Sequence, residues 1–201
     1  MPALGDEPST AQEKALVEVV PLGAVDRVAL QVTAANLQAI LELRADVAAA
    51  EERPDYALIQ ERGQYNAGPI LKKLAEEAYP VPIRVGLTGV DLCLPILTFV
   101  YGEAQMGGRA AVVSYARLGW DESGFETELP VFYERLAKVI VHETAHVLGL
   151  AHCRVPGCLM RFSQTLEHLD ELNLLFCDQC RYEIQRTVRA MERMIAEEEP
   201  G

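Results

Sequence analysis

The spacing of apolar positions divides the chain into alternating helical and extended stretches. Apolar residues follow one another or alternate with polar ones over 16–20, just before Pro21, and over 83–87, 97–101 and 110–116, which predicts strands. Gly107-Gly108 between the last two reads as a hairpin turn. Leu30, Ala34, Leu37 and Leu41 recur at helical spacing and predict a helix over 26–43, although Val28, Leu30 and Val32 would also fit a strand. A short strand over 46–50 follows, then a loop and a second helix carrying Ile70, Leu71, Leu74 and Ala78 on one side. An acidic loop occupies 121–128. Pro130, a residue suited to a first helical turn, opens a long helix that runs through Val139 to Leu148 and stops at Gly149. A last helix over 178–198 presents Ile184, Val188, Met191 and Ile195 as one stripe.

Composition narrows the classes. Half of the 201 residues are apolar, enough for one domain with a core, and no internal repeat suggests a solenoid. The longest apolar run, 92–100, is broken by Pro95 and is too short to cross a membrane. The first residues lack the basic stretch and apolar core of a secretory signal, so the expectation is a soluble, cytoplasmic, monomeric protein. Eighteen Lys and Arg against thirty Asp and Glu leave a formal charge of −12, which argues against nucleic acid as a partner. Residues 1–12 read as a loose segment, 13–149 as an upper subdomain ending in the long helix, and 150–201 as a smaller lower one.

The chemistry lies at the end of that long helix. His142 and His146 stand at i and i+4, on one helix face, so both imidazoles can reach one metal ion. Glu143 is about 100° round the helix, placed to take a proton from a water at the metal rather than to ligate. Two buried histidines satisfied by hydrogen bonds would give the same five residues. Gly149 and His152 extend the string: a left-handed turn at the glycine can return His152 beneath the other two rings. Three imidazoles with an open fourth position suit a catalytic zinc. Met160 can form an apolar floor to the site. His168, among Glu167, Asp170 and Glu171, reads as a surface residue and stands in reserve as a ligand.

Five cysteines add a second constellation. Cys93, between Leu92 and Leu94, reads as a buried small hydrophobe. Cys153 and Cys158, then Cys177 and Cys180, form two close pairs that suit a tetrahedral thiolate zinc site; two disulfides or a redox pair are the alternatives. Since Cys153 follows His152 directly, the two sites would be neighbours.

The strings His142-Glu143-Thr144-Ala145-His146-Val147-Leu148-Gly149-Leu150-Ala151-His152-Cys153, Cys158-Leu159-Met160 and Phe176-Cys177-Asp178-Gln179-Cys180 resemble the archaemetzincins, a metzincin-like family of zinc proteins. Asp91 to Gly102 and Val113 to Leu118 are similar to that family too. The resemblance implies an α+β, zincin-like fold: a mixed twisted sheet with two helices plus the active-site helix in the upper subdomain, and a lower subdomain with a Met-turn and the C-terminal helix. It implies a zinc metallopeptidase with His142, His146 and His152 on a catalytic zinc, Glu143 as general base, Met160 in the Met-turn, and Cys153, Cys158, Cys177 and Cys180 on a structural zinc, two ions per chain. The substrate is expected to be an extended peptide paired along the upper edge strand, assigned to 110–116. A zinc-stabilised peptide-binding module that cleaves little is the alternative function. A nucleic-acid-binding zinc module leaves the histidines unused, and a deformylase-like site would need an upstream cysteine in surroundings that Cys93 lacks.

Overall fold

The computed structural model describes residues 14–76, 81–121 and 123–197; the N-terminal segment 1–12 lies outside them. A five-stranded mixed sheet organises the chain. Its strands are β1 (Val17–Leu22), β2 (Ala45–Val47), β5 (Ile83–Thr88), β7 (Gly102–Ala104) and β8 (Ala110–Ser114), in the order β2-β1-β5-β8-β7. All neighbours run parallel except β7 and β8. A smaller sheet joins β3 (Leu58–Ile59), β4 (Gln64–Asn66) and β6 (Leu92–Cys93).

Alternation along the strands sorts the core into two faces. Val17, Val19, Val85, Leu87, Ala111 and Val113 pack beneath α1 (Arg27–Leu41) and α3 (Leu129–Val147). Val20, Leu22, Ala110 and Val112 face α2 (Ala67–Glu76), which brings Ile70, Leu71 and Leu74. Gly86 permits that approach: a Cβ there would sit 2.9 Å from Cδ1 of both Leu22 and Leu74. Helix α5 (Asp178–Glu197) turns Cys180, Ile184 and Val188 inward and closes the lower part of the core, with Met191 and Ile195 packed alongside.

The helices begin and end where their chemistry dictates. Asp26 caps α1 by accepting from the Ala29 N–H at 2.9 Å, and the helix ends at Glu42 in the left-handed region. This settles 26–43 as helix rather than strand. Pro130 lies in the first turn of α3, and Gly149 takes φ +95° just beyond its end. The short helix α4 (Leu166–Asp170), capped by Thr165, has no counterpart in the sequence expectations.

Three expected strands need correction. The first runs through Pro21 to Leu22; the Pro21 carbonyl takes the Glu51 N–H, so the missing proline N–H faces that same side, beyond the end of β2. The strand over 46–50 is shorter and earlier, at Ala45–Val47. No strand forms over 97–101: the guanidinium of Arg62 donates to the carbonyls of Leu97 (2.7 Å) and Thr98 (2.6 Å), Gln64 Nε2 also donates to Thr98, and these side chains take the place of a strand partner. The strand begins only at Gly102, so the edge of the sheet is β7, while β8, the strand expected to bind substrate, is interior. No helix among the described residues is long and apolar enough to cross a membrane.

Helix α3 is anchored by two buried cations. Arg135 donates to both carboxylate oxygens of Asp170 (2.8 and 2.7 Å) and to the carbonyls of Leu118 (3.0 Å) and Trp120 (2.9 Å). Lys138 pairs with Glu134 and donates to the Asp170 carbonyl. Arg135→Ala leaves the carbonyls of Leu118 and Trp120 without their donor and the exposed Asp170 carboxylate without its partner, so a loss of about 2–3 kcal/mol is expected in urea unfolding. A loss below about 1 kcal/mol, the range of surface pairs, would contradict this anchoring.

Candidate metal centre

The helical repeat of α3 brings His142 and His146 onto one face, and the reversal at Gly149 delivers His152 to them. The turn is held by Leu150 N–H to the Ala145 carbonyl (3.1 Å) and Gly149 N–H to the His146 carbonyl (2.9 Å). His146 Nε2 then lies 3.1 Å from His142 Nε2 and 3.3 Å from His152 Nε2. His142 Nδ1–H donates to the Leu159 carbonyl (2.8 Å) and His146 Nδ1–H to the Leu150 carbonyl (2.6 Å). A carbonyl only accepts, so both rings carry their proton on Nδ1 and present bare Nε2 lone pairs.

Two lone pairs at 3.1 Å cannot hydrogen-bond each other; they repel unless a cation lies between them. Tetrahedral zinc with Zn–N near 2.0–2.1 Å would set the nitrogens about 3.3 Å apart, close to what is seen. Burial lowers the pKa of all three histidines, that of His142 to about 4, so each is neutral at pH 7 as a metal ligand must be. The residues fit a zinc ion. Phe162 flanks the exposed His152, with ring centroids 5.0 Å apart.

Glu143 is a half-buried neighbour of the rings. Burial, and next the carboxylate of Glu103, push its carboxyl up to about 8. A bound cation would pull it down again. Its position depends on Gly102 of β7, where a Cβ would come 2.6 Å from Glu143 Cγ and 3.1 Å from the Val112 carbonyl. Gly102→Ala is therefore expected to displace the carboxylate and cut kcat/KM about ten- to a hundredfold while circular dichroism is unchanged. Wild-type kinetics in that variant would free Gly102 from this role.

The four cysteines converge below. All are free thiols, their Sγ atoms lie within 4.8 Å of one another, and Cys153 and Cys177 are 3.8 Å apart, close to the about 3.8 Å that Zn–S bonds of 2.3 Å would impose. No disulfide joins any of them. Burial raises the thiols of Cys158 and Cys180, whereas the Cys180 backbone N–H holds Cys177 down. So crowded a set ionises together only around a cation, and it fits zinc as the histidines do. The Cys153 N–H donates to the carbonyl of Met160, and Met160 itself is fully buried in the main core. Cys93 is buried away from both clusters, and His168 is exposed on α4, in neither of the two candidate metal groups among the described residues.

Between β7 and α3 opens a cavity of about 670 Å³ lined by Gly102, Glu103, His142, Glu143 and His152, with Val139, Leu169 and Leu172 forming an apolar recess. Sequence reasoning singled out neither Gly102 nor Glu103 as part of the site. The signal available was a Gly-Glu pair in a short run before a hairpin, which nothing local ties to a helix forty residues later.

Comparison with known proteins agrees with this architecture. Residues 25–186 match the model of peptidase family M54. The archaemetzincin of Methanopyrus kandleri is 37% identical over 136 residues, covering 68% of this chain and 74% of that one. The crystal structure of the archaemetzincin of Archaeoglobus fulgidus complexed with malonate superposes with TM-score 0.72 at 33% identity, over 83% of this chain and 98% of its own. A zinc-dependent peptidase from Methanocorpusculum labreanum gives TM-score 0.74 at 25% identity, over 84% and 99%. The α+β fold thus has counterparts among archaemetzincins of known structure, and the chain belongs to peptidase family M54, as a zinc metallopeptidase of the archaemetzincin type.

Proposed function

We propose that the protein hydrolyses peptide bonds in extended chains laid along the free edge of β7, with His142, His146 and His152 holding a catalytic zinc and Glu143 acting as general base. The observation that carries this reading is the pair of Nε2 lone pairs facing each other at 3.1 Å while both Nδ1 protons are committed to carbonyls. Bound zinc supplies a Lewis acid that polarises the scissile carbonyl and acidifies the attacking water.

The protein groups do the rest. Glu143 accepts the water proton as the C–O bond forms and returns it to the amine nitrogen as the C–N bond breaks. The free N–H and C=O groups of β7 hold the peptide in register. The apolar recess beneath receives a side chain next to the cut, and Met160, packed in the core behind Cys153, gives the lower wall a rigid floor. Cys153, Cys158, Cys177 and Cys180 hold a second, structural zinc that fixes the loop carrying His152. The charge of −12 disfavours nucleic acid as a partner, and the site is complete within one chain.

Digestion of a peptide library by fully metallated protein, read by mass spectrometry, tests this. Internal or terminal cleavages that vanish in Glu143→Gln are expected. Peptides that bind without being cut would instead make the protein a binding module.

A further inference from the structure

Glu103 sits at the middle of the edge strand and is not used by the chemistry above. In the register of β7 on β8, Gly102 and Ala104 stand opposite Val113 and Ala111, which belong to the core beneath α3, whereas Glu103 stands opposite Val112 on the α2 side. Glu103 therefore leaves the strand on the face away from Glu143, at the rim of the same cavity. It is half-buried, and among the described residues no hydrogen bond or ion pair reaches its carboxylate. Apart from Glu143, which faces the histidines, the other half-buried carboxylates among the described residues are matched: Glu18 and Glu51 meet Arg84, Asp91 meets Arg117, Glu183 meets Gln179 and Glu192 meets Arg44. A desolvated carboxylate without a partner is costly, and burial alone holds its carboxyl above the usual range.

A peptide paired with β7 shares the alternation of the sheet. Its residue opposite Gly102 faces α3 and Glu143. The adjoining residue, opposite Glu103, turns to the other face, with Cβ atoms about 4.5–5.5 Å from those of the strand. We propose that Glu103 is a specificity-determining residue that selects peptides carrying a cationic group, ammonium or guanidinium, on the residue beside the scissile bond. Such a group supplies the partner that the folded chain withholds. It also screens Glu143 from the Glu103 charge. The cation has two possible sources, the free α-ammonium of an N-terminal residue or the side chain of Lys or Arg, and both present N–H donors to the carboxylate.

The inference rests on the peptide-cleft reading above, and binding measurements separate the two. Zinc-loaded Glu143→Gln protein is titrated by calorimetry with an acetyl-capped neutral peptide, the same peptide uncapped, and capped peptides with one lysine walked along the sequence. The uncapped peptide or one lysine peptide is expected to bind about 10–100-fold more tightly than the capped neutral one. Adding Glu103→Gln should remove most of that advantage, and Glu103→Lys should transfer it to a peptide with glutamate at the same position. Preference for the uncapped peptide identifies the α-ammonium as the source, and preference for one lysine position identifies the side chain. Equal binding of all peptides, or a preference that survives both Glu103 substitutions, overturns the assignment. Failure of every peptide to bind overturns the cleft reading, and this proposal with it.

Discussion

Glu143→Gln is expected to lower kcat by about two to four orders of magnitude while leaving both metal sites filled. The amide matches the carboxylate in shape, so the contact with Gly102 and the packing of α3 persist. It cannot accept the proton of the attacking water or hand it to the leaving amine. Peptide affinity should change little, because the edge of β7 and the apolar recess are untouched, and the defect therefore falls on kcat rather than KM. Zinc content by mass spectrometry and steady-state kinetics on the same preparation check this. Full activity in Glu143→Gln would remove the base from the account. Loss of the histidine-site zinc would show instead that Glu143 is a ligand.

The second large effect concerns the cysteines. Cys158 is almost fully buried, accepts the Cys177 N–H at 3.4 Å, and lies in the core together with Leu159 and Met160. A structural zinc contributes on the order of 10 kcal/mol in small domains. Here most of the core is built by the sheet and its helices rather than by the cysteines, so Cys158→Ala is expected to cost roughly half that, about 5 kcal/mol, and to lower Tm by about 10–20 °C. One zinc per chain should be lost with it. Activity should fall as well, since Cys153 directly follows His152 and its N–H is bonded to the Met160 carbonyl. Metal release should run in the opposite order: mild chelation or acid empties the histidine site first, because protons compete for the three Nε2 atoms in an open cleft whereas the four thiolates are held in a closed site. A Cys158→Ala protein with two zinc ions and an unchanged Tm would contradict the structural role.

The legible parts of this protein are those written in local spacing. His142 and His146 declare a shared helix face, Gly149 declares the turn that returns His152, and the cysteine pairs declare a four-sulfur cluster; each needs only a few residues of context. Helix α5 was equally plain, since Ile184 and Val188 mark a stripe that the core receives. What escaped depends on distant partners. The stretch 97–101 has strand-forming residues, yet Arg62 and Gln64, more than thirty residues earlier, occupy its carbonyls. Pro21 argued for a strand end, but which side its missing N–H would face is decided by Glu51. The apolar run of β8 pointed to a strand without saying that a three-residue strand, β7, covers its outer edge. Gly102 and Glu103 owe their significance to that cover alone.

The most direct measurement is an anomalous-difference map at the zinc edge from crystals grown with zinc in excess. A peak about 2.0–2.1 Å from Nε2 of His142, His146 and His152, and a second about 2.3 Å from the four Sγ atoms, is the predicted result. A map with density among the thiolates and none among the three imidazoles would contradict the account.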